Sequence, residues 1–225
     1  MNDKELVAHH AARQITDGMI VGLGTGSTAN CFIDALAKRQ REEGLKVSTV
    51  SSSVISAIKA REQGLPLLAM EQLTGLDVYV DGADEVSPDL TLLKGRGQDL
   101  VREKILARAS KAFWVLIDPS KRVDRIGSKY PVPVEVLPFA WQLVKKSLET
   151  VGGKAELRTN ANKDGCAFTA QGSLVLDVVF PEGLDSASLN YMLNNTPGIV
   201  EHGIFSELAN AVYCGTNGKI EEQFR

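Results

Sequence analysis

Met19-Ile20-Val21-Gly22-Leu23-Gly24-Thr25-Gly26-Ser27-Thr28-Ala29 decides the architecture. A short apolar run reads as a buried strand, a glycine-rich turn follows, and helical periodicity resumes from Ala29 to about Arg41. Upstream, residues 3–17 carry Leu6, Val7, Ala11 and Ile15 at helical spacing and stop at Gly18. Downstream, strands are expected at 46–50, 66–68, 77–80 and 113–117, with helices at 54–63 and 98–110. Strands alternating with helices imply βαβ units and a parallel sheet.

After about residue 126 the pattern changes. Residues 132–136, with Pro131 and Pro133, read as an edge strand, because proline cannot donate to a ladder. A helix at 141–151, strands at 155–158 and 174–180, a helix at 186–193 and a strand at 199–205 complete a β-α-β-β-α-β order, the split βαβ arrangement. The fold class is therefore α/β. A Rossmann-like parallel sheet domain is expected at 1–126 and 205–225, with an inserted smaller α+β, ferredoxin-like domain at 127–204. Residues 210–214 are expected to return to the first sheet.

Composition narrows the function. The chain has 225 residues, 44% apolar and 24% charged, with net charge −3, which leaves no electrostatic footprint for nucleic acid or membrane. No apolar run approaches the roughly 20 residues of a spanning helix. The polar, acidic start, residues 2–5, lacks a signal-peptide pattern. Cys31, Cys166 and Cys214 form no CxxC pair. A cytoplasmic, reducing location is the simplest expectation.

Gly24-x-Gly26-x-x-Ala29 satisfies a dinucleotide fingerprint in letters. That reading also wants an acidic residue ending the second strand, where this chain has Ser51-Ser52-Ser53. The alternatives are a phosphate site at a helix N-terminus, which the serines favour, and a bare turn and cap. No Gly-Lys-Ser/Thr ending supports a P-loop. A second signal is Asp81-Gly82-Ala83-Asp84-Glu85, two carboxylates at a strand end, where α/β sheets bind ligands. A turn with Asx bonds and a Mg²⁺ site are competing readings. Lys94-Gly95-Arg96-Gly97 follows, then Glu103 on a helix, with Asp99 one turn earlier as a like-charge neighbour. A carboxylate of raised pKa suits a general base, and a solvated helix charge is the ordinary alternative.

These segments, in this order, with Arg102-Glu103-Lys104-Ile105, Asp118-x-Ser120-Lys121, Pro133-Val134-Glu135-Val136 and Pro197-Gly198-Ile199-Val200, resemble the type A ribose-5-phosphate isomerase family over nearly the full length. The resemblance implies cofactor-free, metal-free interconversion of ribose 5-phosphate and ribulose 5-phosphate, in the non-oxidative pentose phosphate pathway. It implies Glu103 as the base between C1 and C2, with Lys94, Asp81 and Asp84 holding sugar oxygens and the enediolate. It places Thr25, Gly26, Ser27 and Thr28 at the substrate, along with Gly82, Ala83 and the 94–97 loop including Gly95, Arg96 and Gly97. Lys121 matches a substrate-binding position and Lys4 a lysine near the phosphate. A homodimer or homotetramer is implied, with a small sugar phosphate as the only other partner.

This chain departs from the family at Arg96 and Gln98, where Lys-Gly-Gly-Gly and small residues are usual, and at 169–173. Bulk at Arg96 stands where backbone should approach the sugar. A non-catalytic or specificity-shifted sugar-phosphate binding paralogue is the alternative that this loop motivates. A coenzyme A transferase on a related scaffold is a weaker one.

Overall fold

The computed structural model describes residues 2–225. In chain order the elements are α1 (Asp3–Arg13), β1 (Ile20–Leu23), α2 (Ser27–Glu43), β2 (Ser48–Ser51), α3 (Val54–Glu62), β3 (Leu76–Asp81), β4 (Glu85–Val86) and β5 (Leu92–Leu93). Next come α4 (Leu100–Ala109), β6 (Ser110–Ile117), β7 (Val132–Val136), α5 (Trp141–Thr150), β8 (Lys154–Leu157) and β9 (Leu174–Val179). The chain ends with α6 (Ser186–Asn194), β10 (Ile199–His202), β11 (Ile204–Phe205), β12 (Ala211–Thr216) and β13 (Lys219–Phe224).

The residues gather into two compact units. The first takes the chain up to Ala83, then Arg102–Arg122 and Leu208–Arg225; the second takes Asp84–Val101 and Val123–Glu207. Sequence periodicity groups residues 84–101 with the first domain. In the structure β4 and β5 pair with each other, and β5 with β11, in a small antiparallel sheet of the second unit.

The first unit is a six-stranded sheet in the order β13-β12-β6-β3-β1-β2. All its pairs are parallel except β12 with β13. Helix α1 starts at a capping box, Asn2 with Glu5, and buries Val7, Ala8, Ala11 and Ala12. Phe32, Ile33 and Leu36 of α2 are fully buried in the same core, each such side chain contributing about 1.5–3 kcal/mol. The segment at 66–68 makes only an isolated bridge, Thr49 with Leu67, and α1 stops at Arg13.

The second unit holds the sheet β10-β7-β9-β8, wholly antiparallel, the order of a split βαβ fold. Val132, Val134, Val136, Leu176 and Val178 pack with Val144, Leu148, Leu189 and Leu193 of the helices. One expectation is corrected here: β7 lies between β10 and β9, so it is an inner strand. Pro133 is tolerated because Gly203, just past the end of β10, donates to the Pro133 carbonyl at 2.8 Å, while the Gly203 carbonyl accepts from the Lys94 N–H at 2.9 Å. The bond that proline cannot make is made by Lys94. A Cβ at Gly203 would lie 2.4 Å from the Lys94 carbonyl oxygen, so this approach requires glycine. The strand expected at 199–205 is divided between β10 and β11.

Candidate active site

Strand order reverses between β1 and β3, and both end toward the same edge of the sheet. Such a switch point is where doubly wound sheets place ligands. Gly24 to Thr28 leave β1 there, and Asp81 ends β3.

Asp81 is completely buried and ties the two strand ends together. It accepts from the Thr25 N–H at 3.0 Å, the Gly82 N–H at 2.7 Å and the Tyr79 hydroxyl at 2.5 Å. A Cβ on Gly24 would come within 2.1 Å of the Asp81 carboxylate, so only glycine lets the loop approach. Tyr79 is itself fixed by stacking on Phe113 at 4.9 Å. Burial pushes its phenol well up, and the charges of Asp81 and Glu103 push it further, so it stays a neutral donor. Nothing in the letters marks Tyr79 as functional; its position two residues before Asp81, on the same face of β3, is the one available signal.

The serines hold the glycine loop. Ser51, Ser52 and Ser53 are buried. Thr25 Oγ1 donates to Ser53 Oγ at 2.8 Å and lies 3.0 Å from Ser52 Oγ. Ser53 accepts from the Ser56 N–H as the α3 cap, and Ser56 Oγ donates to the Gly24 carbonyl at 2.7 Å. The Thr25 hydroxyl is thus turned into the protein, where it fixes the glycine loop.

Helix α2 begins at Gly26 with no side-chain cap and no acidic residue in its first turn. Its 17 residues leave N–H groups and the positive dipole end for an anion. Lys4 Nζ donates to Ser27 Oγ at 2.9 Å, which puts a cation at that terminus. Lys121 closes a short turn after β6. Burial acts upward on Asp118, but hydrogen bonds from the Ser120 hydroxyl and N–H, with the charges of Lys121 and Lys4, bring its carboxyl below the usual range.

Glu103 lies on α4 and is only 4% exposed, as is Lys104, so the solvated-charge reading does not hold. The helix begins at Leu100, which leaves Asp99 ahead of its first turn. Beside Glu103, Arg102 donates to the Ser51 carbonyl at 3.2 Å.

In the second unit, Asp84 follows Ala83 directly, and its N–H donates to the Leu93 carbonyl at 2.8 Å. Lys94 is 4% exposed, with its ammonium 5.8 Å from the Phe205 ring centre. Arg96 lies 3.9 Å over the Tyr130 ring and 3.7 Å from Asp84. Glu85, fully buried, accepts from the N–H groups of Gly127, Lys129 and Tyr130 at 2.6–2.8 Å. Sequence reading gave Glu85 no part. Its partners lie more than 40 residues away, beyond any local pattern.

Residues 48–219 match the family model of ribose 5-phosphate isomerase A (phosphoriboisomerase A). The chain belongs to the ribose 5-phosphate isomerase A family. Ribose-5-phosphate isomerase A of Methanothermobacter thermautotrophicus is 44% identical over 96% of this chain and 95% of its own. That of Thermosynechococcus vestitus is 43% identical over 94% and 90%. Among solved structures, ribose 5-phosphate isomerase A from Methanocaldococcus jannaschii superposes with TM-score 0.94 at 38% identity, covering 99% of this chain and 98% of the other. A D-ribose-5-phosphate isomerase in complex with phospho-erythronic acid gives TM-score 0.95 at 39% identity over the whole of both chains.

Proposed function

We propose that this chain interconverts ribose 5-phosphate and ribulose 5-phosphate through an enediolate, using no cofactor. The observation that carries the reading is Glu103: a carboxylate withdrawn from water on α4, close enough to Tyr79 to act on its phenol, in the unit that holds the open N-terminus of α2.

The phosphate is assigned to the α2 terminus, at Gly26, Ser27 and Thr28, with Lys4 and Lys121 as cations. Binding energy from this remote group orients the carbon chain. In the open-chain aldose, Glu103 takes the proton from C2, and the electron pair moves through a C1–C2 double bond onto O1. Glu103, its proton exchanging with solvent at the enediolate stage, delivers a proton to C1, and transfer of the O2 proton to O1 leaves the ketose carbonyl at C2. Lys94 supplies the positive charge for the enediolate oxygen, and Asp84 accepts from a sugar hydroxyl. Asp81, Gly82 and Ala83 shape the strand end beneath the sugar. A positioned base contributes typically 10²–10⁴ in rate, and a preorganised cation contributes further.

Family membership also supports assembly as a homodimer or homotetramer and residence in the cytoplasm. Phe139 and Leu143, 86% and 77% exposed, are apolar groups that assembly would cover. Direct assay of ribulose 5-phosphate formation tests the activity: turnover by the purified chain is expected, and its absence from a folded sample contradicts the proposal.

A further inference from the structure

Arg96 is tied at both its side chain and its backbone. The guanidinium lies on the Tyr130 ring, 3.9 Å from the centroid, with Nη1 3.7 Å from Asp84 Oδ1. Its carbonyl accepts from Arg158 Nη1 at 3.1 Å. Arg158 is in turn clamped by two bonds to Asp177, at 2.8 and 2.5 Å. The Tyr130 platform is fixed from below, because buried Glu85 gathers the N–H groups of residues 127, 129 and 130. Every member of this set belongs to the second unit. An arginine 48% exposed would ordinarily sample many rotamers in water, and a solvent-screened pair at 3.7 Å holds little by charge alone. The stack supplies what the charge does not. A planar guanidinium on an aromatic face has a defined orientation and so a defined direction for its N–H groups.

We propose that Arg96 is a positioning residue for Asp84: laid on Tyr130, it holds the Asp84 carboxylate in the orientation that receives the sugar. The glycine-to-arginine departure in this loop is then a second way of fixing the site, with Tyr130 and the Arg158–Asp177 clamp as its supports. This rests on the isomerase reading, in which Asp84 contacts substrate.

The test is a double-mutant cycle on KM. Arg96→Gly and Tyr130→Leu are each expected to raise KM for ribose 5-phosphate about 3–10-fold with kcat within about twofold, the pattern of lost binding common to ground and transition states. The double variant should be no worse than Arg96→Gly, because both changes remove one device. Tyr130→Phe, which keeps the ring, should stay within about twofold of the parent KM, since the stack needs only the aromatic face. A merely structural role would lower the melting temperature and leave KM alone. An unchanged KM in Arg96→Gly, or single effects that multiply in the double variant, overturns the proposal. The same comparison of ribose 5-phosphate dissociation constants by calorimetry, in a Glu103→Gln background, needs no turnover. Parent protein lacking turnover while that pattern persists defeats the isomerase reading and supports the positioning role. Active parent with KM unmoved defeats the positioning role alone.

Discussion

Asp81 ends a buried strand of the first unit, and Asp84, three residues on, belongs to the second. The two carboxylates are fixed in different ways. Asp81 has no exposed surface and takes bonds from two main-chain N–H groups and a phenol that burial keeps protonated. Asp84 is 22% exposed on its side chain and faces a half-exposed arginine held by a ring. Buried hydrogen bonds cost their full desolvation penalty when broken, so the one side-chain donor among these partners, the Tyr79 hydroxyl, resists exchange. A screened surface pair tolerates exchange, and there the chain differs from its family's usual letters.

Four predictions break or sharpen this contrast. Glu103→Gln removes the proposed base from the buried side and should lower kcat about 10²–10⁴-fold with KM within a few-fold, read by the ribulose 5-phosphate assay. Tyr79→Phe takes one donor from Asp81 and should cost about 1–2 kcal/mol of stability in urea unfolding, because the carboxylate stays buried. By contrast, Arg96→Gly should change stability by less than about 0.5 kcal/mol, while its effect appears in KM. Equal losses of stability from Tyr79→Phe and Arg96→Gly would erase the distinction between the two regions.

The smallest effect concerns pH. Glu135 on β7 is buried, which raises its pKa; hydrogen bonds from Thr169 and Ser173 oppose the shift, and the charges of Glu201 and Asp99 add to it. The folded state therefore binds this proton more tightly than the unfolded chain does. That contribution is full below the unfolded glutamate value of about 4.3 and is lost as pH rises through the folded value. Glu135→Gln should melt higher than the parent at pH 7 by about 1–3 °C, the difference vanishing near pH 4, in thermal scans across that range.

The contrast also explains what the sequence could disclose. Alternating periodicities announce β1, α2, β2, α3 and the later β-α-β-β-α-β run, because each element buries one face against a core. Strand β13 escapes: its Lys219, Glu221 and Glu222 face water, as charged residues at a sheet edge do, so no apolar alternation marks it. β4 and β5 have two residues each, too few for any period. At the site, Gly24 to Thr28, Lys94 and Glu103 are legible as motifs, whereas the burial of Glu103 and the alliance of Tyr79 with Asp81 depend on packing. Pro133 misleads for a definite reason: its missing donor falls where the Lys94 N–H can replace it.

The central claim is that Glu103 moves the proton between C2 and C1. Proton NMR of ribose 5-phosphate turnover in D₂O reads this directly. The parent protein should carry solvent deuterium into C1 of the ribulose 5-phosphate it forms, and Glu103→Gln, folded and able to bind the sugar phosphate, should show neither exchange nor product at a comparable rate. Exchange or turnover undiminished in the Glu103→Gln variant would contradict the account.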